Sequence, residues 1–184
     1  MRKLIYGINL TLDGCCDHTK GNGSPDVHEY FRELMEGTDL LLYGRKTYEL
    51  MVPFWPEVAK TQSLDETGNA FAKTFDAIDR VVVSRTLKQV DDARTTMLQG
   101  DLKEEVLKLK EQPGKAISTG GVELPAQLIE LGLVDEFHIV IQPVIVGEGR
   151  RLFTEMHMPE KLGLKLMATK TLPSGSVALR YVKG

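Results

Sequence analysis

The sequence predicts an α/β fold built on one mostly parallel sheet with an antiparallel C-terminal edge. Three observations carry that prediction. Short apolar runs alternate with segments of helical periodicity as far as Gly132. Beyond Gly132 the helical pattern gives way to a long apolar stretch and two further strand-like runs. The length, 184 residues with 42% hydrophobic and 27% charged, suits one globular domain with a sizeable core.

Residues 4–12 read as the first strand, followed over 13–25 by a loop rich in Gly, Asp, Asn and Ser. Ser24-Pro25 opens a helix with proline at its first position, and Val27, Phe31, Leu34 and Met35 form its apolar face. Leu40-Leu41-Leu42-Tyr43 is a short buried strand ending at Gly44, and residues 45–52 read as helical. Pro53 and Pro56 break the chain around Trp55, and a weakly periodic helix is expected over 64–75. Val81-Val82-Val83 is another buried strand, stopping at Ser84. Asp101 with Glu104 resembles a capping box, and Leu102, Val106 and Leu109 give the stripe behind it. Residues 115–119 form a strand, Gly120-Gly121 a turn, and Leu124, Leu128 and Leu131 the next helical face. The stretch 137–146 is a long apolar run, and 163–169 and 176–182 read as two strands joined through Pro173-Ser174-Gly175.

Composition removes several classes of function. The balance of 23 basic against 26 acidic residues, net −3, argues against binding nucleic acid or an acidic membrane surface. No apolar run approaches the roughly 18 residues that span a bilayer. Asn9, Thr11 and Asp13 interrupt what would be a signal-peptide block after Met1-Arg2-Lys3, so a cytoplasmic address is expected. Cys15 and Cys16 are adjacent, so bridging them closes no loop; two reduced thiols are expected, and zinc-ligand spacing is absent.

In a mostly parallel sheet, ligands sit beyond the carboxyl ends of the strands. Gly44-Arg45-Lys46-Thr47 follows the second strand and opens a helix, where Gly44 lets backbone approach a ligand and Arg45 and Thr47 can bond phosphate oxygens. The plain alternative is a strand–helix turn with Arg45 in water. Ser84-Arg85-Thr86 suits a phosphate monoester such as the 2′-phosphate of NADP, or is only a polar strand terminus. Gly120-Gly121-Val122 puts backbone amides where a pyrophosphate can sit, although helix entry alone also explains paired glycines. Together the three turns argue for a dinucleotide phosphate site. No Walker sequence exists, and Gly147-Glu148-Gly149 lacks the third glycine of a Rossmann fingerprint.

The segment from Asp13 to His28 gathers Asp13, Asp17, His18, Asp26 and His28. One reading is proton supply at a reducible centre, with Asp13, Asp26 and His28 as the catalytic candidates. A second is metal binding, since these residue types are ligands, although their spacings match no known site. The third is structural: a turn at Asp13-Gly14, with Asp26 and His28 in a first helical turn. Trp55 is either an aromatic wall for a planar substrate or a core residue. Arg150-Arg151 is either an anion anchor or two surface charges.

Leu10-Thr11-Leu12-Asp13-Gly14, then 39–49 around Tyr43-Gly44-Arg45-Lys46-Thr47, then Val83-Ser84-Arg85-Thr86-Leu87 resemble the dihydrofolate reductase superfamily. Gly120-Gly121, Gly132-Leu133-Val134-Asp135-Glu136 and Pro143 to Phe153 are more specific. They resemble the reductase, C-terminal, half of the bacterial bifunctional riboflavin-biosynthesis deaminase–reductase. The resemblance covers nearly the whole chain. It implies a dihydrofolate-reductase-like fold with helices on both faces, and NADPH as hydride donor. It implies cofactor contacts at Gly44, Arg45, Thr47, Ser84, Arg85, Thr86, Gly120, Gly121 and Val122, and a loop after the first strand that closes over the nicotinamide. It also implies a homodimer, and a substrate akin to the phosphoribosylaminouracil reduced by that enzyme. The deaminase half has no counterpart, because no His-x-Glu with Pro-Cys-x-x-Cys occurs. The expectation is an NADPH-dependent reductase acting on a C=O or C=N carbon of a small substrate. Dihydrofolate reductase and a non-catalytic nucleotide-binding relative are the alternatives.

Overall fold

A computed structural model describes residues 1–21, 23–154, 156–158 and 160–184. The elements in chain order are β1 (Leu4–Thr11), α1 (Pro25–Glu36), β2 (Thr38–Gly44), α2 (Arg45–Met51), α3 (Trp55–Thr61), α4 (Glu66–Asp76) and β3 (Asp79–Val83). They continue with β4 (Thr95–Leu98), α5 (Leu102–Glu111), β5 (Ala116–Thr119), α6 (Glu123–Glu130), β6 (Glu136–Gln142), β7 (Leu164–Thr171) and β8 (Val177–Lys183). The eight strands form one sheet in the order β4-β3-β2-β5-β1-β6-β8-β7. The pairs from β4 across to β6 are parallel. Strand β8 runs antiparallel to both β6 and β7, as the strand-rich end of the sequence predicts.

Alternation along the strands builds a core on each face. Leu4, Tyr6 and Ile8 of β1, with Leu42 and Ile117, pack under Val106 of α5 and Leu124 and Leu128 of α6. Leu41 and Tyr43 point the other way, against Met35 of α1, Trp55 and Val58 of α3 and Phe71 and Phe75 of α4. Helices thus cover both faces. Gly7 makes the second layer thin over β1: a Cβ there would stand 3.2 Å from the Phe31 ring, so α1 lies close on the strand.

Two elements escape the sequence pattern. Helix α3 begins at Trp55, where the prolines predict a break; Pro56 falls in the first turn, where its missing N–H costs no hydrogen bond. Strand β4 is four residues on the sheet edge, Thr-Thr-Met-Leu, too short to show a period. Boundaries also move. Helix α4 starts at Glu66 because Asp65 caps it, accepting from the Gly68 amide at 2.7 Å. Strand β6 stops at Gln142, ahead of Pro143, so the run 137–146 is only partly strand.

Among the described residues the buried charges are paired. Arg80, 1% exposed, donates to Asp92 at 3.0 and 3.2 Å and to the Phe75 carbonyl at 3.0 Å. Glu136, 4% exposed, accepts from His138 at 2.8 Å, Arg180 at 2.6 Å and Lys3 at 3.2 Å. His138 Nδ1 in turn lies 2.7 Å from the Tyr30 hydroxyl on α1. Among the described residues, no helix is long and apolar enough to cross a membrane.

Candidate active site

Parallel strands end on one edge, and α1, α2 and α6 all begin there. The three predicted turns follow β2, β3 and β5, and the sheet order sets β3, β2 and β5 side by side, with β1 next. Gly121 has φ +85°, and a Cβ on it would collide with Thr47 Oγ1. The start of α2 therefore touches the turn before α6 only because position 121 carries no side chain. Gly44 is tight in the same way, its absent Cβ lying 3.2 Å from Leu124 Cβ. Gly120 faces β1, with the Gly7 carbonyl 3.5 Å from where its Cβ would be. The Tyr6 hydroxyl, deep in the core, donates to the Gly121 carbonyl at 2.9 Å and anchors the turn from below. Neither α2 nor α6 has a side-chain cap at its start, at Gly44 or Val122.

The charged residues of the turns differ in their commitments. Arg85 is exposed and makes no hydrogen bond or ion pair among the described residues. Ser84 folds back on its own turn, its hydroxyl accepting from the Thr86 amide at 3.1 Å and the Leu87 amide at 2.9 Å. Arg45 has only a loose, exposed contact with Glu49 at 3.7 Å. Lys46 reaches Glu123 Oε1 at 2.6 Å, and Arg150 approaches the same oxygen at 3.2 Å. These two pairs tie the starts of α2 and α6 to the segment after β6.

The three carboxylate and imidazole candidates do not converge. Asp13 is engaged from all sides: its carboxylate accepts from the Thr11 hydroxyl at 2.6 Å, the Gly147 amide at 2.9 Å and the Val146 amide at 3.3 Å. Those bonds, led by the Thr11 hydroxyl, bring its pKa down to about 2. It is an anion and an acceptor at neutral pH. Asp26, in the first turn of α1, accepts from the Ser174 amide at 2.6 Å and so ties α1 to the β7–β8 turn. Burial works to raise its pKa, but the hydrogen bonds it accepts win and hold it below the usual carboxylate range. His28 packs edge-on against Trp55, with ring centroids 5.7 Å apart, and also contacts Phe71 at 5.6 Å. Burial pushes its pKa below the ordinary histidine value, against the opposing pull of Asp65. Trp55 itself is 8% exposed, so its main use is packing.

The loop after β1 is also less free than its composition predicts. Cys15 is a buried free thiol, Cys16 is half-buried, and Cys15 forms an isolated antiparallel bridge with Arg151. Both arginines of the pair at 150–151 are spent on the protein itself, on Glu123 and Asp13. Sequence reasoning singled out Asp13 and the arginines separately. Nothing in the spacing announced that residues more than a hundred positions apart would face each other.

A mostly parallel sheet with an antiparallel C-terminal hairpin, and glycine turns at the carboxyl ends of neighbouring strands, defines a dihydrofolate-reductase-like chain. The comparison with solved structures agrees. A dihydrofolate reductase from Enterococcus faecalis, complexed with NADP(H), superposes with a TM-score of 0.63 at 14% identity, over 99% of this chain and 96% of that one. More narrowly, the chain belongs to the RibD C-terminal domain family, whose profile matches residues 2–178. A putative riboflavin biosynthesis protein from Shewanella sp. PV-4 superposes with a TM-score of 0.75 at 20% identity, covering 99% of each chain. Acinetobacter baumannii RibD gives 0.67 at 15% identity, over all of this chain and 58% of that one. In sequence, the chain is 33% identical to the uncharacterized protein YyaP of Bacillus subtilis over 186 aligned residues, 98% of this chain and 94% of that protein.

Proposed function

We propose that this protein is an NADPH-dependent reductase of a small heterocyclic or sugar-linked substrate, akin to the phosphoribosylaminouracil reductase that its family membership suggests. One observation carries the reading: turns suited to phosphate follow three strands that are neighbours in the sheet. At about 4.8 Å between strands, β3 to β1 spans about 14 Å, the length scale of an extended dinucleotide. Such a ligand would lie with its 2′-phosphate at Ser84–Thr86, its pyrophosphate between Gly44–Thr47 and Gly120–Val122, and its nicotinamide toward the ends of β1 and β6. The chain's own residues fit that group. Gly121 lets the start of α2 pack directly on the turn before α6, which brings the backbone of Gly44–Thr47 and Gly120–Val122 together, and Arg85 has no other partner among the described residues. When bound, NADPH supplies a hydride to the C=O or C=N carbon, and the protein supplies position and electrostatics.

The proton that completes such a reduction has no donor among Asp13, Asp26 and His28 at neutral pH. Both carboxyls are held below the usual range and the imidazole is held neutral. In this reading the proton comes from another group or from solvent. The same observation favours a second one, a nucleotide-binding relative without chemistry. A substrate panel separates them: hydride loss from NADPH in the presence of any carbonyl or imine substrate refutes the second.

The first test is a thermal-shift titration with NADPH, NADP, NADH and FMN at matched concentrations. A ligand at one hundred times its Kd stabilises the fold by about 2.7 kcal/mol. Selective stabilisation by the phosphorylated dinucleotides supports the cofactor assignment, and no shift with any dinucleotide removes it.

The reading extends to a homodimer. All eight residues of β7 are exposed, including Leu164, Leu166 and Met167, and an edge strand leaves one row of backbone groups unpaired. A second copy of the chain pairing along this edge would cover both. Light scattering on wild type and on Leu166→Lys should give twice the chain mass and the chain mass, respectively; a monomeric wild type refutes the dimer.

A further inference from the structure

The segment 144–152 meets the β1 loop on one side and the start of α6 on the other. Toward the β1 loop, the Leu12 amide donates to the Val144 carbonyl at 2.8 Å, the Cys16 amide to the Arg150 carbonyl at 2.8 Å and the Leu152 amide to the Gly14 carbonyl at 3.3 Å. The Asp13 carboxylate takes the Val146 and Gly147 amides from the same segment. Arg151 completes the contact, donating to the Asp13 carbonyl and approaching its Oδ2 at 3.5 Å. Beneath it, Gly149, at φ +103°, passes so close to the buried Cys15 thiol that a Cβ would stand 2.7 Å from the sulfur. On its other side the segment reaches Glu123 through Arg150, and through Glu123 it reaches Lys46 at the start of α2.

We infer that Asp13 and Arg151 are positioning residues, a clasp that makes the β1 loop and the segment 144–152 one rigid wall for the nicotinamide half of the dinucleotide. The inference rests on the cofactor reading above and sharpens it. Asp13 neither donates a proton nor touches the substrate; it acts through the backbone of Val146 and Gly147. The β1 loop is built closed, and the ligand meets a wall that is already formed. Because the clasp lies beyond β1 and β6, at the far end of the strand row from Ser84–Thr86, losing it should be felt by only one half of the ligand.

The test uses Asp13→Asn, Arg151→Ala, Arg151→Lys and the Asp13→Asn/Arg151→Ala double variant. Two readouts are needed: hydrogen exchange of amides 11–17 and 144–152, and calorimetric affinities for NADPH and for 2′,5′-ADP, which has the 2′-phosphate but no nicotinamide. Asp13→Asn and Arg151→Ala should each speed exchange in both segments together. Each should weaken NADPH by about tenfold, the scale of one charged hydrogen bond, and leave 2′,5′-ADP within about twofold. The double variant should resemble either single one, and Arg151→Lys should recover part of the loss. Faster exchange in one segment alone, equal weakening of both ligands, or unchanged NADPH affinity overturns the clasp. A wild type that binds neither ligand overturns the cofactor reading, and this inference with it. A wild type that binds both, beside variants with unchanged exchange, overturns the clasp alone.

Discussion

Replacing Gly121 by alanine puts a methyl group where the start of α2 already is. The cost has two parts that can be separated. Residue 121 sits at φ +85°, and holding an L-residue in the left-handed region costs about 1–2 kcal/mol. The new Cβ also collides with Thr47 Oγ1, and overpacking of that kind costs about 1–3 kcal/mol. The sum is about 2–5 kcal/mol, which for a chain of this length lowers Tm by about 4–20 °C. Urea denaturation followed by far-ultraviolet circular dichroism measures it directly. A partner variant isolates the steric part. Thr47→Ala removes the clashing oxygen, and the remaining contact, from the Thr47 Cβ at 3.4 Å, is an ordinary one. In the background of Thr47→Ala, then, Gly121→Ala should cost only its backbone share, about 1–2 kcal/mol. If Gly121→Ala is nearly neutral, or costs the same with and without the Thr47 side chain, the α2 start and the Gly120–Gly121 turn are not in contact, and the close packing of the two turns argued above does not exist.

Other expectations are briefer. Arg85→Ala should weaken NADPH by about tenfold to a hundredfold and leave NADH nearly unchanged, since only NADPH has the 2′-phosphate; equal losses in parallel titrations would show that Arg85 does not read that phosphate. Tyr6→Phe should cost about 1 kcal/mol in urea denaturation by leaving the Gly121 carbonyl without its 2.9 Å donor. Burial works to raise the Glu136 pKa, but hydrogen bonds from Arg180, His138 and Lys3 outweigh it and hold the group at about 2. A depressed carboxyl stabilises the fold above its unfolded value, near 4.5, and that stability is lost as pH falls toward 2. Stability measured against pH should therefore fall across this window with a slope of up to about 1.4 kcal/mol per pH unit for this one proton. Glu136→Gln should remove that share of the slope, and an unchanged slope would place the acid sensitivity elsewhere.

The residues that gave themselves away in sequence were those whose chemistry is local. Ser24-Pro25 starts α1 because proline needs no N–H there, and Asp101 caps α5 by accepting from the Glu104 amide at 3.0 Å, both readable within a few positions. The turns at 44–47, 84–86 and 120–122 were visible for the same reason, as glycine and hydroxyl clusters directly after apolar runs. Helix α3 was hidden because Trp55-Pro56 carries a breaker that is harmless in a first turn. Strand β4 was hidden because its pairing with β3, from Arg80↔Thr95 to Val83↔Leu98, defines it more than its four side chains do. The role of Asp13 was the hardest to see. Its partners at 146, 147 and 151 lie across the fold, and an aspartate before glycine looks the same in sequence whether it turns a loop, moves a proton or clasps a distant segment.

The position of β1 in the sheet bears on how the chain reaches this structure. Its neighbours are β5, through Leu4↔Ile117, and β6, through Ile5↔Glu136, each more than a hundred residues away. Strand β1 leaves the ribosome before the other seven strands of this sheet yet is central in it, and it waits unpaired until its partners have emerged. Meanwhile β2, β3 and β4 can assemble, leaving a bare apolar edge at β2 until β5 arrives. Such long-range closure is slow and exposes strand edges while it is pending. Refolding should be limited by the insertion of β1, and substitutions such as Ile8→Val should slow folding more than they speed unfolding. The intermediate left waiting, and not the native protein, is the form that chaperones would hold.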